Sequence, residues 1–204
     1  MILGLTGTYC AGKNYVASLL EKRGLPVLDV DKLGHKAIEA EGEVILNRFG
    51  REILGEDGAI DRRLLGARVF GRPTELASLE AIVHPAANRM TQEWIQAQGG
   101  KPCVINAALL HRSAAYKDLD LVMLVDAPWL TRLFRAKKRD RLPFRVLAER
   151  FKSQKDFASQ YFSKNSDIYR VENRGYFSFG SQERERKLER RIDEILSPLG
   201  LSRC

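Results

Sequence analysis

The sequence predicts an α/β fold, a doubly wound parallel five-stranded sheet flanked by helices. Three observations predict it. Short apolar runs at Ile2–Thr6, Pro26–Val30, Cys103–Asn106 and Leu121–Asp126 have strand length. The last two are continuous, as in parallel strands covered on both faces. Helical patterns separate the runs, and a glycine-rich turn from Gly7 to Asn14 joins the first strand to the first helix.

Each element follows in order. Asn14 to Arg23 carries Val16, Leu19 and Leu20 at helical spacing, and Gly24 stops it, as a residue that tolerates positive φ should. The second strand delivers two aspartates, Asp29 and Asp31, at its end. Residues 32–101 read as largely helical, punctuated by Gly50, Gly55, Gly58, Gly66, Gly71, Pro73 and Pro85. At about 70 residues they are too long for a simple crossover, so part is expected to be an inserted helical subdomain placed to cover a substrate. A basic helical stretch from Leu130 to about Lys155 is broken at Pro143. Ser166–Asn173 alternates imperfectly and supplies the fifth strand. The last helix, Glu183–Leu196, gathers Leu188, Ile192, Ile195 and Leu196 on one stripe.

Bulk properties narrow the class. The chain of 204 residues is long enough for one domain with a sizeable core. No apolar run approaches the roughly 20 residues that span a bilayer. The short apolar start has neither a basic stretch before it nor a small-residue cleavage site, so it reads as a strand and not as a signal peptide. A cytoplasmic location without a membrane partner is the expectation. The three cysteines, Cys10, Cys103 and Cys204, are odd in number and widely spaced, which suggests reduced thiols and not a disulfide framework or a CxxC metal site. A net charge of +8 suits acidic partners such as nucleotides, coenzymes or nucleic acid without choosing among them.

The turn Gly7-Thr8-Tyr9-Cys10-Ala11-Gly12-Lys13-Asn14 fits G-x-x-x-x-G-K followed by Asn. Gly7 and Gly12 let the backbone curl so that successive N–H groups face phosphate oxygens, and the helix that follows adds its positive end. Lys13 places a mobile charge between the terminal phosphates. All eight residues are therefore candidates for nucleotide binding. The usual last residue is Ser or Thr, whose hydroxyl ligates magnesium. Asn14 offers a carbonyl oxygen instead and is the candidate metal ligand.

Four further segments extend the pattern: Asp29-Val30-Asp31-Lys32; Ile60-Asp61-Arg62-Arg63-Leu64-Leu65 with Val69-Phe70; Leu79 to Pro85, ending in His84-Pro85; and Ser166-Asp167 before Asn173-Arg174-Gly175. In this order and spacing, over roughly residues 1–196, the chain resembles dephospho-coenzyme A kinases. The resemblance implies a single P-loop kinase domain over 1–204. Its core would be about 1–31, 102–130 and 160–204, its acceptor-binding helical part about 32–101, and its helical lid about 131–159. It implies transfer of the γ-phosphoryl group of ATP, with Mg2+, to the ribose 3′-hydroxyl of dephospho-coenzyme A. Asp31 is then the base toward that hydroxyl, with an N-cap of the next helix as the plainer role. Asp29 helps to organise the waters of magnesium on the substrate side. Among Arg132, Arg135, Lys137, Lys138, Arg139, Arg141 and Arg145, Arg139 aligns with the lid arginine, and the other six are expected to be solvated. Asn173 matches the adenine-contacting position. His84 and Arg89 flank the acceptor, and Arg62 holds an acceptor phosphate. Plainer roles are a helix-terminal histidine for His84 and a surface salt bridge for Arg62.

The chain departs from the family's Pro-Leu-Leu-x-Glu segment, with Ala108-Leu109-Leu110-His111-Arg112 in its place. Leu110 is the substrate-side residue of that segment. Alternatives stay open: a non-catalytic nucleotide- or coenzyme-binding homologue, another nucleoside or nucleotide kinase on the same fold, or, with no motif to support it, a nucleic-acid binder. A monomer or weak homo-oligomer is expected.

Overall fold

The protein is described from a computed structural model covering residues 1–152, 167–174 and 181–201. Ser166, Gly175, Cys204 and the expected lid beyond Lys152 lie outside the described residues. Five strands form one parallel sheet: β1 (Ile2–Gly7), β2 (Val27–Asp29), β3 (Cys103–Asn106), β4 (Leu121–Asp126) and β5 (Asp167–Glu172). Their order is β2-β3-β1-β4-β5. Because β1 is central, the loop that leaves its carboxyl end sits where open α/β sheets place ligands. In register, Leu5 pairs with both Asn106 and Met123, and Gly7 pairs with Val125. The ends of β3 and β4 are thereby set beside the start of that loop.

By contacts the chain forms two compact units, residues 1–28 with 100–204, and residues 29–99. In the first, α1 (Lys13–Glu21) and α8 (Ser181–Leu196) share a core with the sheet. Val16, Leu19 and Leu20 of α1 pack with Leu188, Ile192, Ile195 and Leu196 of α8 and with Leu3, Leu5, Val104, Met123 and Val125. The Arg23 side chain is 1% exposed and its Nε meets Asp193 Oδ1 at 2.6 Å, joining the end of α1 to α8. α6 (Trp129–Asp140) and α7 (Phe144–Lys152) follow β4. The break between them comes earlier than Pro143, at Arg141, whose φ of 52° caps α6.

The second unit holds α2 (Val30–Ala40), α3 (Gly42–Phe49), α4 (Arg62–Val69) and α5 (Pro73–Ala97). Ile45, Phe49, Ile53, Leu65 and Val69 are its buried centre, with Leu76, Leu79 and Ile82 of α5 against them. Ala86 and Ala87 of α5 are small enough to bring it close to Ala37 of α2. Two punctuation marks of the sequence lie inside helices: Gly66 in α4 and Pro85 in α5. Val30 belongs to α2 and not to the second strand. Asp29 caps α2 there, its carboxylate accepting from the Lys32 N–H at 3.4 Å. Among the described residues no helix is long and apolar enough to cross a membrane.

Because Ile192 is fully buried in the α1–sheet–α8 core, Ile192→Ala is expected to cost about 3 kcal/mol. Urea unfolding should show a lower midpoint at unchanged slope. A loss within the range of a surface substitution would show that α8 is not part of the cooperative core.

Candidate active site: a phosphate loop with a cationic rim

The loop is built by two close approaches. A Cβ on Gly7 would stand 2.7 Å from the Val125 carbonyl oxygen, so only glycine lets β1 end against β4 here. Gly12 has φ of 95°, and a Cβ there would stand 2.3 Å from Asn173 Nδ2. The Thr8 N–H donates to Val125 O at 3.0 Å, and the Ala11 N–H closes a turn on Thr8 O at 2.9 Å. α1 then starts at Lys13, so the positive end of its dipole lies at the loop, the arrangement that receives anions. Burial pushes the Cys10 thiol up against the pull of Arg139 and Arg135, so it stays protonated at neutral pH.

Residues that the sequence left unmarked hold this loop. Arg135 of α6 donates through Nη1 to Ala11 O at 2.8 Å and to Cys10 O at 3.3 Å. Its Nη2 reaches Asn173 Oδ1 at 3.2 Å. Asn173, 6% exposed, donates through Nδ2 to Ala11 O at 2.9 Å and through its N–H to Asp126 O at 2.7 Å. The amide assigned to adenine is thus engaged with the loop itself. Arg135 is not a solvated member of the basic stretch, and neither is Arg132, whose side chain is 18% exposed. Spacing alone held one clue: Arg135 lies four residues before Arg139, on the same face of α6.

Asp126, at the end of β4, is a second unmarked residue. Thr8 Oγ1 donates to it at 2.8 Å and Arg170 Nη2 at 2.6 Å, with Arg132 Nε 4.0 Å away. Burial would raise its carboxyl, but the hydrogen bonds from Thr8, the Ala127 amide and Arg170, with the Arg132 charge, hold it below the usual carboxylate range. On the other side Asn106 Nδ2 donates to Asn14 Oδ1 at 3.4 Å. That oxygen keeps a second lone pair, so a hard cation such as magnesium fits it. The buried Oδ1 of Asn106 has no hydrogen-bond partner. Among the described residues no three His, Cys, Asp or Glu side chains cluster to hold a metal alone.

Arg139 meets Asp140 with Nε–Oδ1 at 2.7 Å and lies over the Tyr9 ring, Cζ 5.2 Å from its centroid. Leu110 is fully buried in the hydrophobic core. Arg112 of the same segment is exposed.

The remaining candidates lie in the second unit. Asp31 is exposed in the first turn of α2; the capping role weighed for it falls to Asp29, which also meets Lys32 Nζ at 3.8 Å. Arg62 is the exposed first residue of α4, which Asp61 caps. His84 is exposed within α5 and not at a helix end. Arg89, also on α5, is paired with Glu41 at 2.6 Å.

Comparisons with known proteins agree with one another. The family model described as CoaE, dephospho-CoA kinase, matches residues 1–173. The dephospho-CoA kinase of Treponema pallidum is 33% identical over 210 residues, covering 98% of this chain and 96% of the relative. The crystal structure of TT1252 from Thermus thermophilus superposes with a TM-score of 0.78 at 31% identity, covering 98% of this chain and 97% of that one. The dephospho-CoA kinase of Campylobacter jejuni gives 0.64 at 22% identity, covering 95% and 96%, and supports the fold.

Two outcomes follow from the loop. Gly12→Ala forces a side chain into positive φ and against Asn173, and is expected to cost about 2 kcal/mol of stability. Nucleotide titration should show most affinity gone; wild-type binding would refute the tight fit. Asp126 has a depressed carboxyl, so its stabilisation is complete above an unfolded value of about 3.9 and is lost as pH falls through the lower folded value. Asp126→Asn should therefore be less stable at pH 7, with the gap to wild type closing in acid. A gap that is constant from pH 7 to pH 2 would contradict this.

Proposed function

The chain belongs to the dephospho-CoA kinase family, which phosphorylates dephospho-coenzyme A with ATP in coenzyme A synthesis, and we propose that Lys13, Asp31 and Arg139 carry this transfer to the ribose 3′-hydroxyl. The observation that carries the reading is the Gly12–Asn173 junction, where the loop backbone passes so close to the Asn173 amide that a single Cβ would not fit.

The roles follow from charge and position. The loop from Gly7 to Asn14 and the first turn of α1 bind the donor's phosphates through N–H groups. Lys13 and Arg139 balance the negative charge that spreads over the transferred group. Asp31 accepts the proton of the acceptor hydroxyl, a contribution of about 10²–10⁴ in rate. Asn173 lines the adenine side, where an amide can pair with an adenine edge through both a donor and an acceptor. Arg62, His84, Arg89 and Asp29 serve the acceptor, and Leu110 supports that side from the core. Asn14 would hold magnesium on the protein, and the ion, when bound, would supply neutralisation of phosphate charge. We place the reaction in the cytoplasm, in a monomer or weak homo-oligomer with no nucleic-acid partner.

Asn14 favours one other reading, a homologue that binds ATP without transferring it. A coupled assay with ATP, Mg2+ and dephospho-coenzyme A separates the two: product formation is expected, and bound ATP without product at high enzyme concentration would establish the binding protein. Asp31→Ala should lower kcat by about 10²-fold or more while ATP affinity stays within about twofold; parallel loss of both would remove Asp31 as the base. Asn14→Ser should shift the Mg2+ concentration needed for half-maximal ATP binding, and an unmoved value takes Asn14 out of the metal site.

A further inference from the structure

α6 uses two faces. Arg135 and Arg139, four residues apart, lie on the face that meets the phosphate loop. Leu133, Phe134 and Lys137 follow a different stripe of the same helix, and they line a cleft together with Leu142, Phe144 and Leu147 around the start of α7. The cleft has a volume of about 180 Å³. An apolar cavity of about 150 Å³ takes up benzene, so one aromatic ring or a short alkyl chain fits here. Leu147 is 1% exposed and Phe144 is 64% exposed, so the cleft runs from a buried floor to an open aromatic rim. Phosphate binding by the loop does not use this surface.

Charge decides among the occupants that fit. Lys137 is the charged residue of the lining. Among the described residues neither Lys137 nor Arg141 has an ion-pair partner, and Arg145 meets Glu149 only at 3.9 Å. Arg141 ends α6 with φ of 52°, a conformation that glycine adopts at lower cost. What arginine adds at that turn is a cation. A neutral apolar ligand would leave the Lys137 ammonium without a counter-charge. A second copy of the chain, docked by two-fold symmetry, would set these cations against themselves. A singly charged head on a short apolar body meets both demands, because one ammonium acts as a point charge.

We propose that the cleft between α6 and α7 binds a small carboxylate whose apolar body is about the size of one aromatic ring, with Lys137 meeting the carboxylate and Phe144 covering the ring. The site is separate from the phosphate loop and does not rest on the nucleotide reading. No bond is made or broken there.

The test is calorimetric titration of the full chain with phenylacetate, with its neutral amide phenylacetamide, and with acetate, which has the charge without the body. Phenylacetate is expected to bind one to one with a dissociation constant of about 1 mM or tighter. The amide should bind about fivefold more weakly, and acetate should give no saturable signal. Lys137→Gln should weaken phenylacetate about fivefold and leave the amide within about twofold. Phe144→Ala should weaken both probes by a similar factor of about five or more. Thermal unfolding of both variants, followed alongside, is expected to match wild type, since both side chains are exposed. Absence of saturable phenylacetate binding overturns the inference. So does equal affinity for the acid and the amide, or an unchanged affinity in either variant. Displacement of phenylacetate by ATP overturns it too, because the carboxylate then occupies the phosphate loop. A wild-type dimer that Phe144→Ala dissociates does the same, since the cleft is then an interface between copies.

Discussion

The carbonyl oxygen of Ala11 is where the first unit is tied together. It accepts from Arg135 Nη1 at 2.8 Å and from Asn173 Nδ2 at 2.9 Å, so α6 and the end of β5 converge on one atom of the loop that leaves β1. The Asn173 bond is buried and the Arg135 bond partly so, where a hydrogen bond is worth more than one at the surface. The approach is possible only because Gly12, the next residue, has no Cβ and adopts φ of 95°. The loop conformation is therefore tied to contacts from two other elements, α6 and the end of β5.

Much of this was legible in the sequence, and the parts that were not share a cause. β3 and β4 match the sequence reading residue for residue because both faces are covered and the apolar run ends where burial ends. The end of β2 does not, because Val30 continues the apolar run while the Asp29 carboxylate caps a helix that begins at Val30. The phosphate loop was found by spacing, since its chemistry is backbone chemistry. The residues that clasp it are side chains arriving from 124 or more positions away, Arg135 and Asn173. Among seven basic residues on one stretch, spacing cannot say which two turn inward. Likewise Asp126 read as the end of a strand; only the parallel pairing of β4 with β1 brings it beside Thr8.

The surplus charge acquires a location from these contacts. Asp126 takes Arg170 and lies near Arg132, while Asp140 takes Arg139 and Arg150. Each acid is oversubscribed by arginine. A net charge of +8 spread evenly would say little; among the described residues two acids, at either end of α6, each meet more than one arginine. The pairing also explains why Arg139 can be exposed and still be held in place: its partners are a carboxylate and a ring, not solvent.

Asn14 gains meaning from its neighbour. A Ser or Thr at that position needs no partner to aim a hydroxyl, whereas a longer amide has two ends that compete for the same space. Asn106 Nδ2 selects between them by donating to Asn14 Oδ1, and so turns the oxygen of Asn14 toward β3. The register that pairs Asn106 with Leu5, two residues before Gly7, is what brings this donor within reach. The selection leaves the buried Oδ1 of Asn106 without a partner, a cost that an apolar residue at 106 would avoid. The two asparagines thus join the end of the loop to the end of β3, so a substitution at either is expected to be felt at the other.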